Sequence, residues 1–241
     1  MAEKESKDAL LSTVAVIAAG GSGLRMESER PKQFMDLDGR PLLAVTLEKF
    51  QVCHAVDAIV LVAHPDYIDY CKNEIVGRYA LRKVIKVIAG GKRRQDSVRL
   101  GIEATKGDYG LVIIHDAVRP LVHPDLIERV VASAKKFRAV IAGLPAKETI
   151  KEVDKDNTVV RTYDRAMLWH VQTPQAFYYE DIKSAHKKAV EEGWAEVTDD
   201  ALLLEKMGLP VKVVKGSEDN IKITTLHDLE LARFLWQLGK G

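Results

Sequence analysis

Only two cysteines, Cys53 and Cys71, occur in the 241-residue chain, far apart and in no C-x-x-C pair. That spacing excludes a disulfide framework or a zinc knuckle and leaves buried, reduced thiols as the expected state. No apolar run approaches the ~20 residues that a membrane-crossing helix needs. The opening MAEKESKDALL is polar and lacks the apolar centre of a signal peptide; residues 1–10 are expected to form a flexible tail. Net charge is nearly absent as well, since 36 basic against 35 acidic side chains leave +1. Such a balance argues against nucleic acid as a partner, and any anion must be recognised by a local cluster. Together these absences suit a protein of the cytoplasm, or the mature form of an organelle protein such as one of the plastid stroma.

What is present is an ordinary globular composition, 46% hydrophobic. Solid apolar runs at 14–19, 58–62, 84–88, 110–114 and 139–144 read as strands. Amphipathic stretches at 41–50, 66–76, 95–104 and 124–136 read as helices between them. Solid runs, unlike alternating ones, predict strands covered on both faces. The βαβα order therefore predicts an α/β fold, a doubly wound and mostly parallel sheet within one domain over 1–241. Ligands of such sheets sit beyond the carboxyl ends of the strands. Three polar loops leave strands there, at 20–32, 90–97 and 115–120.

After Pro145 the pattern breaks. Two short strands at 149–153 and 158–162 surround the polar turn DKDN, forming a protruding β-arm over 148–164. A two-stranded ribbon is marginal alone in water, so it is expected to lean on the domain or on a second subunit. Helices at 181–192 and 200–207, a strand at 211–214 and a terminal helix near 226–238 complete the chain. On this reading a fused second domain is not expected.

The run VAVIAAGGSGLRM at 14–26 is a strand feeding a glycine loop. It lacks the Lys-Ser/Thr of a Walker A loop, and Met26 stands where a dinucleotide fingerprint has its third glycine. Bare glycine backbone still lets an anion approach its N–H groups. Arg25 adds a planar, permanently charged fork, and PKQF supplies Lys32. On the residues alone, a tight strand-to-helix turn with a solvated arginine is an equal reading.

AAGGSGLRM with PKQF resembles the nucleotidyltransferases that make CDP- and UDP-activated small molecules. HDAVRP at 115–120, TYDRAMLWHVQTPQAF at 162–177 and DNIKIT at 219–224 narrow the likeness. Together they resemble the 2-C-methyl-D-erythritol 4-phosphate cytidylyltransferases of the non-mevalonate isoprenoid pathway, over nearly the whole chain and in the same order. The resemblance implies a Rossmann-like nucleotidyltransferase that joins CTP to methylerythritol phosphate, releases pyrophosphate, requires Mg²⁺ or another divalent cation, and works as a homodimer. It gives Arg25, Lys32 and Lys222 catalytic roles near the α-phosphate. Ala18, Ala19, Gly20, Gly21, Gly23, Gly91, Ser97, Asp116 and Ala117 become CTP contacts, with Asp116 also the metal ligand. Thr149 and Arg165, reaching from a neighbouring subunit, and Thr173 and Asp219 would hold the second substrate.

Blander readings stand beside these roles. Lys222 between two apolar residues also fits an outward strand position, and Asp116 a turn cap. Lys92 and Arg93 read as a solvated basic loop, His115 as structural, Trp169 and Phe177 as core. The glycine loop has one residue more than the shortest family version, AAGxGxRM, which leaves its amide register open by one position. Two other functions share these features: a ribitol-5-phosphate cytidylyltransferase, and a non-catalytic nucleotide-binding regulator. HDAVRP with the LW of AMLWHVQTPQ favours the isoprenoid enzyme over the first. The joint presence of Arg25, Lys32, Asp116 and Lys222 speaks against the second.

Overall fold

The computed structural model describes residues 11–21, 31–195 and 197–239. The expected tail over 1–10, and Gly23 and Arg25, lie outside the described residues. Strands β1 (Thr13–Ala19), β2 (Ala58–Ala63), β3 (Val84–Ala89), β4 (Leu111–Asp116) and β5 (Ala139–Pro145) form where solid apolar runs predict them. The ribbon follows as β6 (Lys151–Val153) and β7 (Val159–Thr162), then β8 (Trp169–Tyr178) and β9 (Lys212–Lys215). The helices are α1 (Leu42–Val52), α2 (Arg94–Ala104), α3 (Pro124–Phe137), α4 (Tyr179–Glu191), α5 (Ala201–Lys206) and α6 (Leu226–Leu238). Where one helix was expected at 66–76, three short helical pieces follow one another: Pro65–Tyr67, Ile68–Tyr70 and Cys71–Gly77.

The main sheet has the order β3-β2-β1-β4-β8-β5-β9. β1 pairs in parallel with both β2 and β4, so the chain winds one way to β3 and the other way from β4. The crevice outside β1 and β4 is therefore the switch point at which such sheets place ligands. Alternate residues of β1 enter separate cores: Ala15, Ile17 and Ala19 on one face, Val14 and Val16 on the other. Both faces are covered, as solid apolar strands require. On one of them α2 comes so close that a Cβ on Gly101 would sit 2.4 Å from Val16 Cγ1. Cys53 and Cys71 are buried and free.

Strand β8 is absent from the sequence-based reading, and it runs antiparallel to both β4 and β5. Pro174 argues against a central strand, because proline cannot donate to a ladder. The structure accommodates it at a bulge: Gln175 pairs with Ile141 and Gln172 with Ala142, leaving Thr173 and Pro174 unpaired. The first three residues of β8 run past the cores. Phe177 is buried as expected, but Trp169 is 40% exposed, because it pairs with Pro145 at the far end of β5.

The ribbon forms a separate two-stranded sheet with every strand residue exposed. A third, smaller core joins Leu42 and Val45 of α1 to Leu229 and Ala232 of α6 through Val118 and Ile223. Ile223 donates its N–H to the Val118 carbonyl at 2.9 Å, which brings the DNIKIT segment beside the end of β4.

Candidate active site

A cleft of about 550 Å³ opens beyond the carboxyl ends of β1, β3 and β4. Its walls include Ala18 to Gly21, Gly90 and Gly91, and Asp116 to Val118. Lys32, Lys92, Arg93, Arg94 and Lys222 also line it, with Asp116 the one carboxylate among the described residues. The backbone here is anchored from behind. Gln33, 2% exposed, donates to the Ala19 carbonyl at 2.8 Å and the Gly21 carbonyl at 3.1 Å. Ala117 donates its N–H to the Ala18 carbonyl at 3.1 Å, and Thr46 of α1 donates its hydroxyl to the Ala117 carbonyl at 2.8 Å. The turn before α2 is equally tight: Ser97 Oγ accepts from the Gly91 N–H at 3.1 Å and donates to the Arg93 carbonyl at 3.1 Å. A Cβ on Gly91 would lie 2.5 Å from that of Asp96, so only glycine fits there.

Asp116 ends β4 and is the electrostatic centre. Its Oδ1 accepts from Arg94 Nε at 3.0 Å, and its Oδ2 lies 2.9 Å from Lys222 Nζ and 3.7 Å from Arg119 Nε. Burial alone would raise its pKa, but Arg94 and then Lys222 outweigh that and hold the carboxyl well below the ordinary range. The neighbouring His115 is fully buried and lines neither cavity, as a structural residue should. Burial pushes its pKa down to about 3, so the ring is neutral. Its Nε2 faces the Arg119 carbonyl at 3.2 Å and must carry the proton; Nδ1 then accepts from Thr173 Oγ1 at 3.0 Å. That hydroxyl in turn accepts the Asp116 N–H at 3.1 Å. The β8 bulge thus pins the backbone of the central carboxylate.

A second cavity of about 410 Å³ adjoins the first. Thr173 and the charged Arg119, Asp199 and Glu205 line it, together with Gln172, Gln175 and Thr198. Three residues belong to both cavities: Arg94, Asp116 and Lys222. A site with a cation-rich glycine cleft, a donor-rich second cavity and one charged junction can bring two anionic substrates into contact.

The family model described as IspD, 2-C-methyl-D-erythritol 4-phosphate cytidylyltransferase, matches residues 13–237. The chain belongs to this family. It is 45% identical over 229 residues to the 2-C-methyl-D-erythritol 4-phosphate cytidylyltransferase of Syntrophus aciditrophicus (strain SB), covering 95% of this chain and 97% of that one. To the protein of the same name from Pelotomaculum thermopropionicum it is 42% identical over 227 residues, 94% of this chain and 95% of the relative. The crystal structure of 4-diphosphocytidyl-2C-methyl-D-erythritol synthase from Anaerococcus prevotii DSM 20548 superposes with a TM-score of 0.83 at 33% identity. That superposition covers 94% of this chain and 96% of the other.

Of the residues singled out from the sequence of this cytidylyltransferase-family chain, Ala18, Ala19, Gly20, Gly21, Lys32, Gly91, Ser97, Asp116, Ala117 and Lys222 all meet in the first cavity, and Thr173 in the second. Thr149, Arg165 and Asp219 are exposed and line neither. Arg165 Nη1 donates to the Lys147 carbonyl at 2.8 Å at the base of the ribbon. Lys92 and Arg93 are exposed as expected, although both border the cleft. Gln33, Arg94 and Arg119 were missed, as were two buried supports: Asn220, whose Nδ2 donates to the Thr173 carbonyl at 2.7 Å, and Asp200, which accepts from Arg94 Nη1 at 2.7 Å. Gln33 stands in PKQF and Arg119 in HDAVRP, so both could have been picked out from their motifs. Arg94 could not be told from its neighbours in the run Lys92-Arg93-Arg94.

Proposed function

We infer that this chain transfers the cytidylyl group of CTP to 2-C-methyl-D-erythritol 4-phosphate, giving 4-diphosphocytidyl-2-C-methyl-D-erythritol and pyrophosphate. Beside family membership, one observation carries the reading: among the described residues the two cavities share Arg94, Asp116 and Lys222. CTP fits the larger, where close glycine backbone and lysine and arginine side chains suit a triphosphate. The alcohol phosphate fits the smaller, where Thr173, Thr198, Gln172 and Gln175 offer hydroxyl and amide groups to a polyol. Its phosphate oxygen attacks the α-phosphate of CTP; that P–O bond forms as the bond to the β-phosphate oxygen breaks, and pyrophosphate leaves.

The attacking phosphate is already ionised, so no strong general base is required. Positioning and charge stabilisation carry the step. Lys32 and Lys222 neutralise the phosphates, and the glycine backbone receives their oxygens. Arg25 belongs with this group by its place in the motif. Lys222, whose side chain is 40% exposed, turns from Asp116 toward the entering phosphate.

We also propose that Mg²⁺ enters with CTP. Among the described residues no group of three His, Cys, Asp or Glu side chains could hold a metal. Asp116 is the one carboxylate among the described residues that lines the nucleotide cavity, which would suit an ion that keeps its waters and is held mainly by phosphates. When bound, it supplies charge neutralisation across the phosphates. The homodimer is part of the same proposal. A wholly exposed ribbon that carries Val153, Val159 and Val160, with Thr149 and Arg165 outside their own subunit's cavities, is what an arm serving a partner's site requires. We place the enzyme in the cytoplasm, because both substrates are anions that cross no bilayer unaided.

Pyrophosphate release from CTP is the test, with methylerythritol phosphate and ribitol 5-phosphate compared, each with and without Mg²⁺. Preferential turnover of ribitol 5-phosphate overturns the substrate assignment. CTP binding without release from either alcohol favours a regulator.

A further inference from the structure

Behind Asp116, a second buried carboxylate has no place in the reaction as derived so far. Asp200 is 1% exposed and precedes α5. Its Oδ2 accepts from Arg94 Nη1 at 2.7 Å, and its Oδ1 lies 3.3 Å from Nε2 of the equally buried His186 on α4. Burial would raise its pKa, but Arg94 and then His186 hold it below the ordinary carboxylate value. Its position is fixed in turn by Asp199, whose Oδ1 accepts the Leu202 N–H at 3.1 Å and whose Oδ2 accepts from Gln175 Nε2 at 2.8 Å.

Arg94 is thus gripped from two sides, Nε by Asp116 and Nη1 by Asp200. The guanidinium has five N–H donors in a rigid plane. With two of its nitrogens fixed, the third can point in only one direction, and Arg94 stands on the wall of both cavities. Lys222 differs: among the described residues Asp116 is its one ion-pair partner, and it sits on a flexible stem. When Lys222 turns to a phosphate, Arg94 remains where it is.

We propose that Arg94 is the fixed cation of the junction, presenting its free edge to the phosphates that meet there, and that Asp200 is the positioning residue that holds it. This rests on the proposed function and adds to it a residue pair that acts in the step. A buried ion pair is weak evidence of stability, because desolvation offsets the attraction. The Asp200 pair is retained for orientation: it takes up one end of the guanidinium and aims the other.

Wild-type turnover of CTP with methylerythritol phosphate, measured first, tests the functional reading by itself. Binding of inorganic pyrophosphate by calorimetry tests Arg94 with no alcohol present. Arg94→Lys keeps the charge but has one nitrogen for two carboxylates; its kcat is expected to fall about 100-fold, as when one transition-state donor is lost. Pyrophosphate binding is expected to weaken about tenfold. Asp200→Asn keeps the shape and is expected to lower kcat about tenfold, as outer partners of binding side chains do, with KM for CTP moving no more than about twofold. Asp200→Glu, which restores the charge, should recover part of that loss. Rates are taken per folded molecule, from protein checked by circular dichroism. Wild-type kcat in Arg94→Lys, or a lower melting temperature with unchanged kcat in Asp200→Asn, overturns the proposal. If Asp200→Asn does not fold, Arg94→Lys decides alone.

Discussion

The two cavities that meet at Asp116 are built for different charges. Among the described residues, Lys32, Lys92, Arg93, Arg94 and Lys222 surround the first, with Asp116 as its one carboxylate. In the second, Arg94, Arg119 and Lys222 stand against Asp116, Asp199 and Glu205, with Ile141, Val171 and Leu202 beside them. An excess of cations over glycine backbone suits a chain of phosphates. A balanced wall with amides and hydroxyls suits one phosphate on a polyol, where excess positive charge would admit a second nucleotide. On the proposed placement of the two substrates, the charges of the described residues would contribute to selectivity before shape is considered.

The strongest way to break this contrast is to remove a cation that only the first cavity owns. Lys32→Ala should lower kcat by about 10² to 10³, the usual cost of losing one stabilising group at a developing charge, while circular dichroism and melting stay near wild type. Near-normal kcat would refute its role.

Next in size is an effect on the wall between the cavities. Neutral His115 holds Thr173, which holds the Asp116 backbone. Its pKa is about 3 in the fold and near 6.5 in the unfolded chain. The fold therefore gains from the neutral ring fully above pH 6.5 and loses that gain as pH falls toward 3. Denaturant unfolding should show a loss of roughly 1.4 kcal/mol per pH unit below 6.5, about 2 kcal/mol by pH 5. The depressed carboxyls of Asp116 and Asp200 add to it below about pH 4. In His115→Gln the slope between pH 6.5 and 5 should flatten; an unchanged slope would show that another group is responsible.

Two smaller effects sharpen the second cavity. Arg119→Ala should raise KM for the alcohol phosphate about tenfold and leave KM for CTP within about twofold, in line with ~1.5 kcal/mol for a charged hydrogen bond. Equal changes in both would merge the two cavities functionally. Arg165→Ala should act similarly, but from the partner subunit. Mixing Arg165→Ala with Lys32→Ala subunits should then restore activity, since a mixed dimer holds one site with both residues intact. No recovery after subunit exchange, confirmed by sedimentation, would count against the arm in trans.

The first cavity was far more legible in the sequence than the second. It is assembled from loops that leave parallel strands, and two of them mark themselves with glycine, at Gly20 and Gly21 and at Gly90 and Gly91, which bares their backbone N–H groups. The burial of β1 and β4 on both faces follows from their solid apolar runs, while their adjacency is seen in the sheet itself. The second cavity draws on the bulge of β8, on Arg119 of HDAVRP and on residues 198–205, positions remote from one another in sequence. Pro174 even disguised the strand that carries it.

The sequence by itself determined the layered α/β fold and the end of the sheet where its polar loops gather, while Lys32, Asp116 and Lys222 were picked out there by their motifs. Hydrophobic periodicity and backbone chemistry are local, so a linear reading captures them. Only the tertiary structure decided that β8 inserts antiparallel between β4 and β5, and that Arg94, alone of three adjacent basic residues, is gripped by Asp116 and Asp200. Which carboxylate a guanidinium meets depends on chain segments 22 and 106 residues away, and that proximity exists only once the sheet has closed.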